Sequence, residues 1–232
     1  MKFPDNSKVA VLLLFALSNS AYATGMLPET SVVVIEQSDG EAAINVKNTD
    51  SYPALLLTTL ISIDDDKDVP LTITPPAARV EPGKSQRVRF ILTSNEPLTT
   101  ERLMRVTFDG VPPQIKGNNE VRMSVRQNLP VIVRPAGLEK DYAPWKKLNW
   151  KINKSSLIVS NPSPYVVRLG EEVETLPGNT FWNLPNNYIL PGQILTINPT
   201  NEKKFETATK VRISPATTWG YTVDHYDAAL IR

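Results

Sequence analysis

An all-β chain folded as two β-sandwiches is what this sequence predicts, and three observations predict it. Apolar runs of strand length recur along the chain with turn residues between them, and none carries the spacing of an amphipathic helix. Twenty prolines and ten glycines supply many turns and leave little room for long helices. The 232 residues are too many for one small domain and comfortable for two, each able to bury a core of its own.

The first segment is expected to lie outside the fold. Lys2 and Lys8 flank a positive start, Val9 to Leu17 is an apolar run, and Ala21-Tyr22-Ala23 has the small-x-small form of a cleavage site. This is the layout of a secretory signal peptide cleaved after Ala23. The apolar run is shorter than the ~20 residues that span a bilayer, so no stable membrane insertion is expected.

The strands follow in order. "SVVVIE" (31–36) reads as buried, and "EAAINVKN" (41–48) alternates with Ala42, Ile44 and Val46 on one face. "ALLLTTLISI" (54–63), "LTIT" (71–74), "SQRVRFIL" (85–92) and "LMRVTF" (103–108) come next, the last ended by Pro112-Pro113. "NEVRMSVRQNLPVIVRP" (119–135) completes the first half: Val121, Met123 and Val125 alternate with Arg122, Ser124 and Arg126, and an apolar run interrupted by Pro130 follows. Short strands at regular spacing with turn signals between them predict a sandwich of immunoglobulin type. A boundary near "RPAGLEKDYAPWK" (134–146) divides residues 24–136 from residues 137–232. Beyond it "LNWKIN", "SSLIVSN", "YVVRLGEEV", "QILTINP" and "KVRISP" predict a second sandwich. No repeat between the halves is evident, and the short linker predicts a fixed angle between them.

The composition excludes several chemistries. A net charge of +1 gives no electrostatic footprint for nucleic acid. The chain has no cysteine, which excludes disulfides, thiolate zinc sites and cysteine nucleophiles. His225 stands alone, and the nucleophile-elbow, zincin and phosphate-loop motifs are absent, so no catalytic residue, metal, cofactor or small-molecule substrate is expected. "DDDKD" (64–68) lacks the glycine and length of a calcium loop and reads as a solvated turn. Arg87, Arg89, Arg102 and Arg105 read as exposed strand faces, and Trp145, Trp150, Trp182 and Trp219 as core of the second half.

Period-two alternation cannot say whether Val121, Met123 and Val125 face this protein's own core or another chain's. A resemblance bears on it. "TPPAARVEPGKSQRVRF" (74–90), "ERLMRVTFDGVPP" (101–113), "RP" (134–135) and "NPSPYVV" (161–167) fall in the order and spacing of the periplasmic chaperones of the chaperone–usher pilus pathway. The resemblance covers essentially the whole chain after the leader. It implies two immunoglobulin-like domains in an L, or boomerang, arrangement, a periplasmic location, and fimbrial subunits and an outer-membrane usher as partners. It also implies an activity without catalysis. A strand lent to an incomplete subunit supplies backbone hydrogen bonds and fills its groove with alternate apolar side chains. On that pattern the lent residues are Val121, Met123 and Val125, with Asn119 at the next alternate position.

The chain departs from the family at one point. The family's two basic anchors for the subunit's C-terminal carboxylate fall here on Val32 and Pro130, neither of which is basic. A shifted register would bring in Arg126 or Arg134, and a rebuilt anchor would use Arg168 or a linker lysine. A divergent or inactive member serving as a structural or adhesive surface protein is the alternative. The family's interdomain ion-pair network places Glu101 and Arg134 together, with Thr218 at its third position.

Overall fold

The computed structural model describes residues 25–67, 69–94, 96–113, 124–153, 156–199, 207–218 and 223–231. Its first half holds nine strands: β1 (Met26–Pro28), β2 (Val33–Glu36), β3 (Glu41–Asn48), β4 (Ala54–Ser62), β5 (Leu71–Thr74), β6 (Ala77–Val80), β7 (Ser85–Leu92), β8 (Arg102–Val111) and β9 (Gln127–Arg134). They form two sheets, β1-β3-β7-β5 and β2-β9-β8-β4-β6. Alternation decides which face is buried. On β3 and β7, Ile44, Val46, Val88 and Phe90 turn inward while Lys47, Arg87 and Arg89 stay in water. The second sheet answers with Leu56, Val106, Phe108, Val131 and Val133, and the two sets close one core. The chain changes sheets between β1 and β2, which leaves β2 short.

The second half holds a 3₁₀ turn (Pro144–Lys147) and β10 (Asn149–Asn153), β11 (Ser156–Ser160), β12 (Val167–Arg168), β13 (Glu172–Leu176), β14 (Thr180–Asn183), β15 (Tyr188–Ile189), β16 (Ile194–Ile197), β17 (Lys210–Ile213) and β18 (Tyr226–Ile231). Seven strands run in the order β14-β13-β17-β18-β10-β11-β16, and a bridge from Trp182 to Pro199 brings the ends of this run together. Trp145, Trp150 and Trp182 are buried in this second core, while Trp219 lies outside the described residues. The Trp182 indole donates to Thr175 Oγ1 at 3.1 Å, satisfying the one polar atom of a side chain that is otherwise packed apolar.

The strands most legible in sequence are the long alternating ones. β1, β6, β14, β15 and β18 were not read, whereas the four-residue β5 was read with its exact bounds. "YVVRLGEEV" is not one strand. It breaks at Gly170, because β12 pairs with β15 while β13 pairs with β14 and β17.

The halves also share a repeat that the sequence reading did not find. Asn48 Nδ2 donates to the carbonyls of Tyr52 and Val80, both at 2.9 Å, while its Oδ1 accepts from Asp50 N at 3.0 Å. Asn161 Nδ2 donates to the carbonyls of Tyr165 (2.8 Å) and Ile189 (3.0 Å), and its Oδ1 accepts from Ser163 N at 3.1 Å. Val80 and Ile189 each lead into a Pro-Gly turn whose glycine donates back to the carbonyl of the same asparagine, Gly83 to Asn48 at 2.9 Å and Gly192 to Asn161 at 2.7 Å. Both glycines sit at positive φ, +70° and +74°, where a Cβ would be strained. The repeat is Asn-x-x-x-Tyr followed later by Pro-Gly, too sparse to stand out from the sequence. Its bonding requirement fixes it: a buried amide must be satisfied on both sides.

Candidate functional site

β9 has one edge that is only partly covered. On one side β8 pairs with it throughout, from Arg102 opposite Val133 to Phe108 opposite Gln127. On the other side β2 runs parallel and reaches only from Val131 to Arg134. From Gln127 to Pro130, no described strand lies on that side. Pro130 has no N–H, yet the β8 ladder runs through it opposite Arg105. Its nitrogen must therefore face the uncovered side. By alternation the N–H and C=O of Asn128 face that side too.

Side-chain phase points the same way. Leu129, Val131 and Val133 turn into the protein's own core. Steps of two lead back through Gln127 to Val125, which is 48% exposed. The inward phase thus continues after the core has run out. The next alternate positions, Met123 and Val121, lie outside the described residues, as does Asn119. Gly25 passes close by, and a Cβ placed on it would lie 3.9 Å from Val125 Cβ.

Between the domains lies an apolar seam. Val32, Ile63, Leu103 and Ile132 of the first half pack with Val166, Tyr188 and Leu190 of the second. Val32 is therefore a packing residue of this seam, and Pro130 is buried within β9.

Beside the seam sits a buried ion pair. Arg134 Nε donates to Glu101 Oε1 at 3.0 Å, Nη1 to Glu36 Oε1 at 2.8 Å, and Nη2 to the carbonyls of Leu138 (3.0 Å) and Glu139 (2.9 Å). Glu101 reaches the second half: its Oε2 accepts from Val166 N at 2.8 Å, and its own N–H donates to Pro164 O at 2.8 Å. Burial pushes the Glu101 carboxyl above its ordinary range, against the opposing pull of Val166 N–H and Arg134. Arg126 holds Asp109 at 2.6 Å.

Two expectations from the sequence are corrected, for Asp66 and for the arginines of β8, while Asp64, Asp65 and Lys67 are exposed around the expected turn. Asp66 is no solvated turn residue, because Arg102 grips both its carboxylate oxygens and Leu103 N donates to Oδ2 at 3.1 Å. Asp65 accepts from Tyr188 OH at 3.3 Å across the seam, and burial first, then Asp65, pushes the Tyr188 phenol up to about 12. Arg102 and Arg105 are not ordinary exposed-face residues: both are half-buried, Arg102 against Asp66 and Arg105 over β9. Each of these partners is distant in sequence, so no local signal could have found it. Arg87 and Arg89 are exposed, as expected.

Comparison with known proteins agrees with this geometry. Residues 25–139 match the family described as pili and flagellar-assembly chaperone, PapD N-terminal domain, and residues 143–226 match the pili assembly chaperone PapD, C-terminal domain. YhcA of Escherichia coli (strain K12), named as an uncharacterized fimbrial chaperone, is 41% identical over 219 residues, covering 94% of this chain and 96% of YhcA. The chaperone protein MrkB of Klebsiella pneumoniae is 26% identical, covering 89% of this chain and 99% of MrkB. Among solved structures the E. coli chaperone DraB superposes with a TM-score of 0.70 at 24% identity, over 89% of this chain and 99% of DraB. The Salmonella enterica SafB chaperone, solved in complex with the SafA pilin, gives a TM-score of 0.70 at 20% identity, over 91% and 99% of the two chains. With two immunoglobulin-like β-sandwiches and both family domains matched in order, this chain belongs to the pilus-assembly chaperones.

Proposed function

We propose that the protein binds pilus subunits in the periplasm by lending them the segment that leads into β9, with Val121, Met123 and Val125 as the lent side chains, and passes them to an outer-membrane usher. One observation carries this reading: the uncovered edge of β9, whose inward phase continues to an exposed Val125 beyond the end of the core. An edge of this kind is a template for another chain, and the SafB relative was solved holding a pilin. Three apolar side chains buried in a groove contribute roughly 5–9 kcal/mol, against association costs of ~4–15 kcal/mol. Backbone pairing along β9 must therefore add to the affinity. Nothing in this activity calls for catalysis or a cofactor.

In the same reading residues 1–23 are the exported leader, residues 24–136 form the subunit-binding domain and residues 137–232 the second domain. Glu101 and Arg134 hold the angle between them. The Glu101 contacts to Pro164 and Val166 support this role.

The test is native mass spectrometry of the periplasmic protein purified after co-expression with the pilus subunit encoded beside it. The wild type should carry one subunit, and Met123→Arg and Val125→Arg should carry none while remaining folded, because a cation cannot enter an apolar groove. A folded wild type without a subunit would sink the chaperone reading, and self-polymerisation would favour a structural role instead.

A further inference from the structure

Val125 has the phase of a core residue and the exposure of a surface one, and the end of the first sandwich shows why. The last pair of the β8–β9 ladder is Phe108 opposite Gln127. One step beyond it, Arg126 Nε donates to Asp109 Oδ1 at 2.6 Å, so the two strands stay side by side where their pairing has stopped. The next step sets Val125 opposite Gly110. Both positions have the inward phase, in step with Leu129 on β9 and with Val106 and Phe108 on β8.

Gly110 is buried although it has no side chain. Its inner face is filled from the other sheet, by Met26 of β1: a Cβ built on Gly110 would lie 3.0 Å from Met26 Cγ and 3.8 Å from its Cε. A side chain at 110 and the Met26 side chain therefore compete for one space. Met26 itself is fully buried in the first core, and an unbranched, adaptable side chain suits the irregular gap at the end of a sandwich. Gly25, just before it, passes the lent segment with its Cβ position 3.9 Å from Val125 Cβ. The core thus closes on Met26 before it reaches Val125. An apolar side chain of inward phase turns into any space beside it, because burial is favourable. Val125 has no such space and stays half-exposed.

We infer that Met26 is a positioning residue for strand donation: by filling the inner face of Gly110 it denies Val125 a place in the protein's own core and leaves it for a partner's groove. The inference rests on the strand-addition reading and adds what keeps the lent side chain free. Two interactions share the task. Met26 takes the space into which Val125 would turn, and the Arg126–Asp109 pair keeps the chain alongside β8. Val125 is in this way kept out of the core without leaving the line of β9. The period-two pattern that would send Val125 inward is overruled by a side chain from β1, which lies about a hundred residues away in the sequence.

The chain has no cysteine, so Val125→Cys places a single thiol, itself a small apolar group, at the position in question. Its labelling rate by a soluble thiol reagent is measured alone, with Met26→Ala, Met26→Val or Met26→Leu, and with Met26→Ala and Gly110→Val together. Circular dichroism checks that each variant is folded. Met26→Ala should slow labelling about 10-fold, as local protection by burial does, and Met26→Val by less. Met26→Leu, and Gly110→Val added to Met26→Ala, refill the space from one sheet or the other and should restore the parent rate. The association rate with a pilus subunit, measured for the same variants with Val125 in place, should fall and recover in the same order. Unchanged labelling in folded Met26→Ala would overturn the inference, and Met26→Val decides in the same way if the alanine variant does not fold. A loss that Gly110→Val does not restore would also overturn it, because Met26 would then act through stability alone. A wild type that captures no subunit would overturn the strand-addition reading instead, since labelling is read without a subunit.

Discussion

Replacing Arg134 by methionine is expected to destabilise the protein by about 3–5 kcal/mol, the usual consequence of removing one partner from a buried ion pair. The methionine keeps most of the apolar stem. It removes the guanidinium that holds Glu101, Glu36 and the carbonyls of Leu138 and Glu139. Glu101 is then a buried carboxylate left with Val166 N–H and the like charge of Glu36. Urea unfolding followed by far-ultraviolet circular dichroism measures the loss, which corresponds to a fall in Tm of roughly 6–20 °C for a chain of this size.

The loss should depend on pH, and its sign can be worked out. Without Arg134 the Glu101 carboxyl rises further above its ordinary value of 4.5. A folded-state pKa above the unfolded one favours folding most in acid, and that advantage is lost as pH rises through the folded pKa. The gap between wild type and Arg134→Met should therefore be smallest near pH 4.5 and widen toward neutrality. Adding Glu101→Gln to the variant should remove that widening. A gap that is flat in pH would mean that the buried carboxylate is not the source of the loss.

Replacing Asn48 or Asn161 by alanine is expected to cost roughly 3–4.5 kcal/mol each, at ~1–1.5 kcal/mol for each of the three amide hydrogen bonds that the two corners share. Each substitution removes the amide donor to one strand carbonyl and one turn carbonyl and the acceptor of one turn N–H, and at Asn161 also the acceptor of the Ser163 hydroxyl at 2.6 Å. Asn→Asp at either position keeps the shape and the acceptor but turns an oxygen toward two carbonyls. It should be no better tolerated than alanine. The two asparagines serve separate cores, so their effects should add. A loss below ~1 kcal/mol for both alanine variants would show that these corners are not held by their amides.

How much of this was legible beforehand follows from the range of each interaction. β3 and β7 were read with their bounds intact, because burial of one sheet face imposes period two on eight consecutive residues. β1, β6, β14 and β15 gave no comparable signal, although β5 was read as "LTIT". The asparagine corners escaped because each draws its bonds from the far side of its domain, Asn48 from Val80 and Asn161 from Ile189. Asp66 passed for a solvated turn for the same reason, since Arg102 is far from it in sequence.

The candidate site divides along the same line. The alternation ending at Val125 and the proline at 130 belong to the sequence alone, because side-chain phase and the missing N–H are local properties of the chain. Only the tertiary structure decided that β2 pairs with β9 from Val131 onward and leaves the edge before it uncovered, and that Val32 packs in the seam between the halves. Those outcomes depend on which strands pair and how two domains pack across a seam. They are set by contacts between residues far apart in the chain, which no local pattern encodes.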